Sequence, residues 1–380
     1  MELFSLTTNI KITDVQWQAY PIAFFLLLLC LLTVVGNLLI IYTIIRSSTL
    51  HTSTYYYICS LAFSDLLVGL IVMPFAFIFE MTDDEYWLFQ RHLTFLCDYW
   101  HSMDIFATTA SIFDLCAIGL DRYIAITKPI EYPNSFLSKK WYYVLPMIWL
   151  CSAIISFPPG IYFGTTQSIS QCDFPNNPYY VLVVSIVSFY LPLIVMIYVY
   201  IQVYIAARKQ TLALCSGYKH HHQLKSPKSF ISKICLKQTL SENRSLTNSE
   251  TNTHETSVEN HIELLNNVKK KSVNKMKRKQ TDTNNTFWRK FSKNQKAAKF
   301  VSIIMGAFLI CWLPYFVYFT LSGIFLIRLK DEQQHELLFS IFSWLGYTNS
   351  AVNVLVYVST SKELRTIIFR FFILHRRVHS

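Results

Sequence analysis

Asp65, Asp104, Asp114 and Asp121 interrupt long apolar stretches of this chain. A charged side chain at the centre of a bilayer costs roughly 2.5–3.5 kcal/mol, so each needs a partner. Asp104 follows Cys97 by seven residues, and Asp121 follows Asp104 by seventeen, about 25 Å along a helix. The two therefore lie near opposite ends of one helix. No apolar stretch offers a Lys or Arg at the depth of Asp104, which favours a ligand ammonium over an internal base as its partner. Trp312, Tyr315, Phe316 and Phe319 recur at three- and four-residue spacing, and Trp344 and Tyr347 at three. Such stripes are commonly plain core, but opposite an unpaired acid they form a cage for an organic cation. Ser185 and Ser188 precede Pro192 by one to two turns. They either donate to a ring hydroxyl or bond back to their own helix.

Asp65 has Asn37, Ser111, Asn349, Ser350 and Asn353 as polar company on other apolar stretches. An acid among hydroxyls and amides suits a buried cation or water cluster, or a hydrogen-bonded packing network. Asp121-Arg122-Tyr123 joins an acid to an arginine that cannot lose its proton. Such an arginine can be exchanged to another partner, which makes a switch. Asp114 faces another direction, toward a neighbouring helix, and takes no ligand role.

Composition defines the elements that must hold these groups. Of 380 residues 52% are hydrophobic and 15% charged, with 29 Phe and 23 Tyr, more apolar surface than a soluble domain can hide. Seven stretches reach the ~20 residues that a bilayer requires: Pro21–Ile45, Thr54–Phe79, Leu93–Ile126, Trp141–Phe163, Tyr179–Ala206, Ala297–Phe325 and Leu337–Ser359. The fold class is all-α, a membrane bundle of seven transmembrane helices. Arg46, Lys128, Lys139, Lys140, Arg208, Lys209 and Arg365 border one side, and Asp83, Asp84, Glu85, Asp173, Asp331 and Glu332 the other. This bias puts the N-terminus outside and the C-terminus in the cytoplasm. It also accounts for the net charge of +11 without nucleic acid. Met1 to Gln18 lacks a basic start, so the first stretch serves as an uncleaved signal-anchor. Cys97 and Cys172 alone flank spans on the outer side, which makes one disulfide the economical reading.

The organisation is an extracellular segment 1–20, helices over 21–207, a cytoplasmic loop 208–293, two helices over 294–359 and a tail 360–380 with a short amphipathic helix. The loop is rich in Ser, Thr, Asn and Lys and too poor in apolar residues to fold alone. His220, His221 and His222 lie within it without partner ligands, so they are expected to be free of metal.

In order along the chain stand Gly36-Asn37, Leu61-Ala62 with Asp65, Trp87, Cys97, Asp104, Asp121-Arg122-Tyr123, Pro129 and Trp149. They continue with Cys172, Pro192 with Tyr200, Cys311-Trp312 with Pro314, and Asn353 with Tyr357. This ordered set resembles the class A, rhodopsin-like G-protein-coupled receptors, and Asp104 with Trp344 and Tyr347 resembles their aminergic branch. The resemblance covers all but the N-terminal segment and the long loop. It implies a receptor in the plasma membrane that binds a small biogenic amine, such as a catecholamine, phenolamine, indoleamine, histamine or trace amine. Its implied partners are a heterotrimeric G protein, arrestin and receptor kinases. Asp104, Ser185, Ser188, Trp312, Tyr315, Phe316, Phe319, Trp344 and Tyr347 would form the ligand site. Asp121, Arg122, Tyr123, Tyr200, Asn353 and Tyr357 would form the switch. Asp65, Ser111, Asn349 and Asn353 would hold an allosteric sodium ion, with no other cofactor.

Three positions depart from the pattern. Val354 replaces the usual proline after Asn353, so the last helix should lack that kink; Asn294 replaces a common acid; Leu364 replaces a phenylalanine. A receptor for a peptide or lipid is the alternative. A transporter or channel is disfavoured by the absence of repeats, and an enzyme by the absence of a nucleophile–base pair.

Overall fold

The computed structural model describes residues 19–81, 94–163, 178–221, 299–300, 302–323, 332–361 and 363–369. Among them, seven long helices carry the chain. They are α1 (Ala19–Arg46), α2 (Ser53–Met81), α3 (Thr94–Thr127) and α4 (Trp141–Phe163). Then come α5 (Pro178–Ser185, continued through Ile186–Tyr190 and Leu191–His221), α6 (Ser302–Gly323) and α7 (Glu332–Thr360). Helices α1 to α6 are long and apolar enough to cross a bilayer. Helix α7 is long enough but less apolar, because Thr348, Asn349, Ser350 and Asn353 occupy its middle. Asn349, Ser350 and Asn353 are buried, so the polar face of α7 turns inward, away from lipid.

By its contacts the chain divides into Met1–Val203 with Ala297–Ser380, which holds the bundle, and Tyr204–Lys296. In the second unit the described residues are helical as far as His221, beyond the expected start of the loop. Ala206, Ala207, Arg208, Lys209, Gln210 and Leu212 are good helix formers, with no proline or glycine before Gly217. The rest of that loop, Asn294, Trp87 and Cys172 lie outside the described residues.

Helix α3 is the hub. Of its most apolar window 72% is buried, against 17% for α4, whose Met147, Leu150 and Ile154 face outward. Prolines shape two other helices. Pro74 and Pro192 lack an N–H, and their rings crowd the carbonyls four residues back, at Leu70 and Ser188. In each case the turn widens into a π segment, Val68–Val72 in α2 and Ile186–Tyr190 in α5. Helix α7 runs unbroken through Val354, consistent with the missing proline.

Gly36 lets α1 lie against α7. A Cβ there would stand 2.8 Å from Val354 Cγ1, and Asn37 Nδ2 next to it donates to the Ser350 carbonyl at 3.3 Å. Gly36→Ala is therefore expected to destabilise the bundle by about 1–3 kcal/mol through overpacking. Adding Val354→Ala should recover most of that loss. Melting temperatures of the detergent-purified chain check both, and an unshifted Gly36→Ala would refute the close contact.

Candidate functional site

Asp104 projects from α3 into the bundle and is buried. Tyr347 Oη of α7 donates to its Oδ2 at 3.0 Å, while Oδ1 has no hydrogen-bond partner. Among the described residues no cation pairs with it: the ion pairs there are Arg122–Asp121 and Lys128–Glu131. One carboxylate oxygen is thus fixed and the other is free for a guest.

The guest's space is a narrow cavity lined by Asp104, Ile105, Thr108 and Thr109 of α3, Val184 and Ser188 of α5, and Trp312, Tyr315, Phe316 and Phe319 of α6. The rings support one another. Tyr315 stacks on Phe319 at 5.7 Å and meets Trp312 edge-on at 5.8 Å. Phe316 stacks on Phe189 of α5 at 4.1 Å. Trp312 lies so close to α7 that a Cβ on Gly346 would come within 2.8 Å of its ring.

Six of the nine expected ligand residues thus border one cavity. Tyr347 reaches it through its bond to Asp104, and Trp344 braces Tyr347 edge-on at 5.8 Å. Ser185 does not border the cavity. Both serine hydroxyls are buried and without a partner, so neither bonds back to its own helix. The reading from sequence missed Ile105, Thr108, Thr109 and Val184 on the lining and Phe189 behind it. No sequence signal marked Thr109: five residues after Asp104, it stands about 140° round the helix from it rather than on the same face.

Below this cavity Asp65 is fully buried and accepts from Ser111 Oγ at 3.1 Å, Ser350 Oγ at 2.9 Å and Asn353 Nδ2 at 2.9 Å. Asn349 makes no bond to it; Asn349 Oδ1, Asn353 Oδ1 and Asn37 Oδ1 are buried and unpartnered. Asp114, also fully buried, has Ser60 of α2 as its polar neighbour, though neither carboxylate oxygen meets hydrogen-bond geometry. Ser60 in turn receives the indole N–H of Trp149 at 3.0 Å.

At the other end of α3, Asp121 is fully buried and binds Arg122 at 2.7 Å. Two residues not singled out in the sequence complete the arrangement. Thr54 Oγ1 donates to Asp121 Oδ2 at 2.7 Å and also accepts from Arg122 Nη2. Tyr132 Oη donates to Asp121 Oδ1 at 2.9 Å and accepts from Arg122 Nη2 at 3.1 Å. Tyr200 and Tyr357 make no hydrogen bond to Arg122: Tyr200 is exposed, and Tyr357 is fully buried with an unpartnered hydroxyl. Cys97 is disulfide-bonded, and Cys30, Cys59, Cys116, Cys151 and Cys311 are free. Leu364 is fully buried in the core, on the short helix at 363–369 that Ser361 Oγ caps.

An inward acid beneath an aromatic wall, a polar centre and an arginine latch, strung along one helix, describe a membrane receptor. A family model described as 7 transmembrane receptor (rhodopsin family) matches residues 36–357, and the chain belongs to that family. It is 34% identical to Dopamine receptor 2 of Drosophila melanogaster, over 90% of this chain and 68% of that one. It is 33% identical to the Alpha-1A adrenergic receptor of Homo sapiens (89% and 64%) and to Octopamine receptor beta-2R of Drosophila melanogaster (90% and 59%). The chain thus spans about two thirds or less of these relatives' lengths. Family and relatives are receptors rather than enzymes or transporters.

The latch yields a prediction. Tyr132→Phe removes one donor to Asp121, a loss of roughly 0.5–1.5 kcal/mol from the state in which Asp121 holds Arg122. Basal G-protein nucleotide exchange in membranes should rise roughly two- to tenfold. No rise, with expression matched, would show that this state is not the one restraining activity.

Proposed function

We propose that this chain is a receptor for a small cationic biogenic amine, whose ammonium pairs with Asp104 and whose ring packs against Trp312, Phe316 and Phe319. The observation that carries this reading is the free Oδ1 of Asp104, buried in an aromatic-walled cavity with no cation beside it among the described residues. A buried carboxylate is stable only when paired, and an organic cation over aromatic faces gains twice, from the charge and from the rings. The relatives named for dopamine, adrenergic ligands and octopamine support the same chemistry.

Orientation follows the charge bias: N-terminus outside, C-terminus in the cytoplasm, in the plasma membrane. The end of α3 that carries Arg122 then faces the cytoplasm and would engage the heterotrimeric G protein, with arrestin and receptor kinases as later partners. Asp65, with the unpartnered Oδ1 of Asn353, whose Nδ2 already donates to it, offers hard oxygen donors suited to a sodium ion. Bound there, sodium would tie α2 to α7 in the resting receptor.

Saturation binding of radiolabelled dopamine, octopamine, tyramine, serotonin and histamine identifies a cognate amine. Asp104→Asn should then weaken it by about two to three and a half orders of magnitude, the loss of one member of a buried pair at about 3–5 kcal/mol. Binding within threefold of the parent, with surface expression matched, would remove the amine from Asp104 and leave only the family assignment.

A further inference from the structure

The seam between α5 and α6 lies behind the aromatic wall and is held at three points. Tyr190 closes the π segment of α5, and its Oη donates to Thr320 Oγ1 at 3.2 Å and to the Phe316 carbonyl at 3.4 Å. The ring of Phe316 stacks on Phe189 at 4.1 Å with 8° between the planes, so it rests on α5 and has nowhere to retreat. One turn beyond Thr320, a Cβ on Gly323 would stand 2.7 Å from Val181 Cγ1, so the two helices approach closely there as well. Phe316, Thr320 and Gly323 follow one another at four and three residues, a single stripe of α6 turned toward α5. Phe316 and Phe319 line the cavity, whereas Tyr190 and Thr320 do not border it.

These contacts decide how large a ring the cavity takes. Its volume is about 20 Å³, room for one water, so a guest's ring enters only where the walls yield. Lining side chains such as Tyr315 and Phe319 can turn about their own bonds. The helix α6 itself cannot back away while it is fastened to α5. We infer that Tyr190 is the positioning residue that restricts this receptor to amines carrying a single six-membered ring and excludes the fused ring of an indole; this rests on the amine reading above. Tyr190 does not touch the guest. It acts through Phe316, whose carbonyl it holds and whose ring its neighbour Phe189 supports. A larger ring must either drive α6 outward and break the Tyr190 bonds or overpack the wall, and a close-packed interior resists overpacking. The Tyr190 hydroxyl is also the one element of the seam that can be deleted as a single atom with the ring packing left in place.

The test is saturation binding of tritiated β-phenethylamine and tritiated tryptamine to the full-length receptor in membranes, a pair that differs in ring size and carries no ring hydroxyl. Phenethylamine should bind at least tenfold more tightly than tryptamine. Tyr190→Phe should bring the two within about threefold by tightening tryptamine, with phenethylamine held within twofold of the parent. Thr320→Val should move the ratio in the same direction, and Thr320→Ser, which keeps the hydroxyl, should retain the preference. Combining Tyr190→Phe with Thr320→Val should go no further than Tyr190→Phe alone, because both remove the same bond. A general loosening of the fold would instead weaken both amines together and leave their ratio unchanged, and that result in Tyr190→Phe would overturn the inference. So would tryptamine binding as tightly as phenethylamine in the parent, or the absence of saturable phenethylamine binding. Asp104→Asn separates the two readings. If it abolishes binding of both amines while their affinities in the parent are equal, the amine reading stands and only the ring-size inference fails. If it leaves them unchanged, the amine reading itself fails.

Discussion

Carboxylates buried where no water can reach them govern this structure. Four acids lie inside the bundle, three of them on α3, and the low-dielectric surroundings demand a partner for each. They are satisfied to different degrees. Asp121 has an arginine, a threonine and a tyrosine, and Asp65 has three donors from α3 and α7. Asp104 has a single tyrosine. The two well-supplied acids hold helices together; Asp114 has neither oxygen hydrogen-bonded but does not border the cavity, so Asp104, with one free oxygen on that cavity, is the acid placed to recruit something from outside. A ligand site is, in this sense, the place where a costly group left incompletely solvated by protein also opens on a cavity.

The helices reach these arrangements through backbone exceptions as much as through side chains. Glycine at 36 and 346 lets α1 and Trp312, respectively, approach α7 more closely than a Cβ would allow. Proline at 74 and 192 opens a π segment just before it, and each shifts the rotational phase of the residues upstream relative to those downstream. In α5 this shift lies between Ser185 and Pro192. It separates the fates of two serines three residues apart: Ser188 enters the cavity and Ser185 does not. On a regular helix, residues at that spacing would have shared one face.

That case marks the limit of what the sequence discloses. Apolar runs of bilayer length betrayed the spans, and acids stood out inside them because their burial is expensive. The aromatic wall was legible from its three- and four-residue spacing. Thr54 and Tyr132 were not, because they reach Asp121 from 67 and 11 residues away and nothing in their own surroundings is unusual. Thr109 was missed for a different reason. A threonine in an apolar helix usually bonds back to its own backbone, as Thr108 does, and only the folded structure shows that its neighbour does not. The helical extension to His221 was hidden because the charged and polar residues there are good helix formers, and composition alone reads them as loop.

The two ends of α3 must communicate for a receptor to signal, and the distribution of bonds limits how. A ligand shifts a conformational equilibrium only by the difference in its affinity for the two states. At Asp104 that difference can come from Tyr347 and Trp312, since both belong to helices other than α3 and both touch the cavity or its acid. Trp312 rests on Gly346, so a guest that presses on the tryptophan presses on α7. Further along α7, Ser350 and Asn353 hold Asp65, and Tyr357 keeps a buried hydroxyl without a partner. An unsatisfied hydroxyl at that depth favours any rearrangement that pairs it. Arg122, held by Asp121 and two hydroxyls, opposes rearrangement at the same end. The balance between a latch that is fully bonded and a tyrosine that is not makes this end of the bundle responsive to a small push from the other.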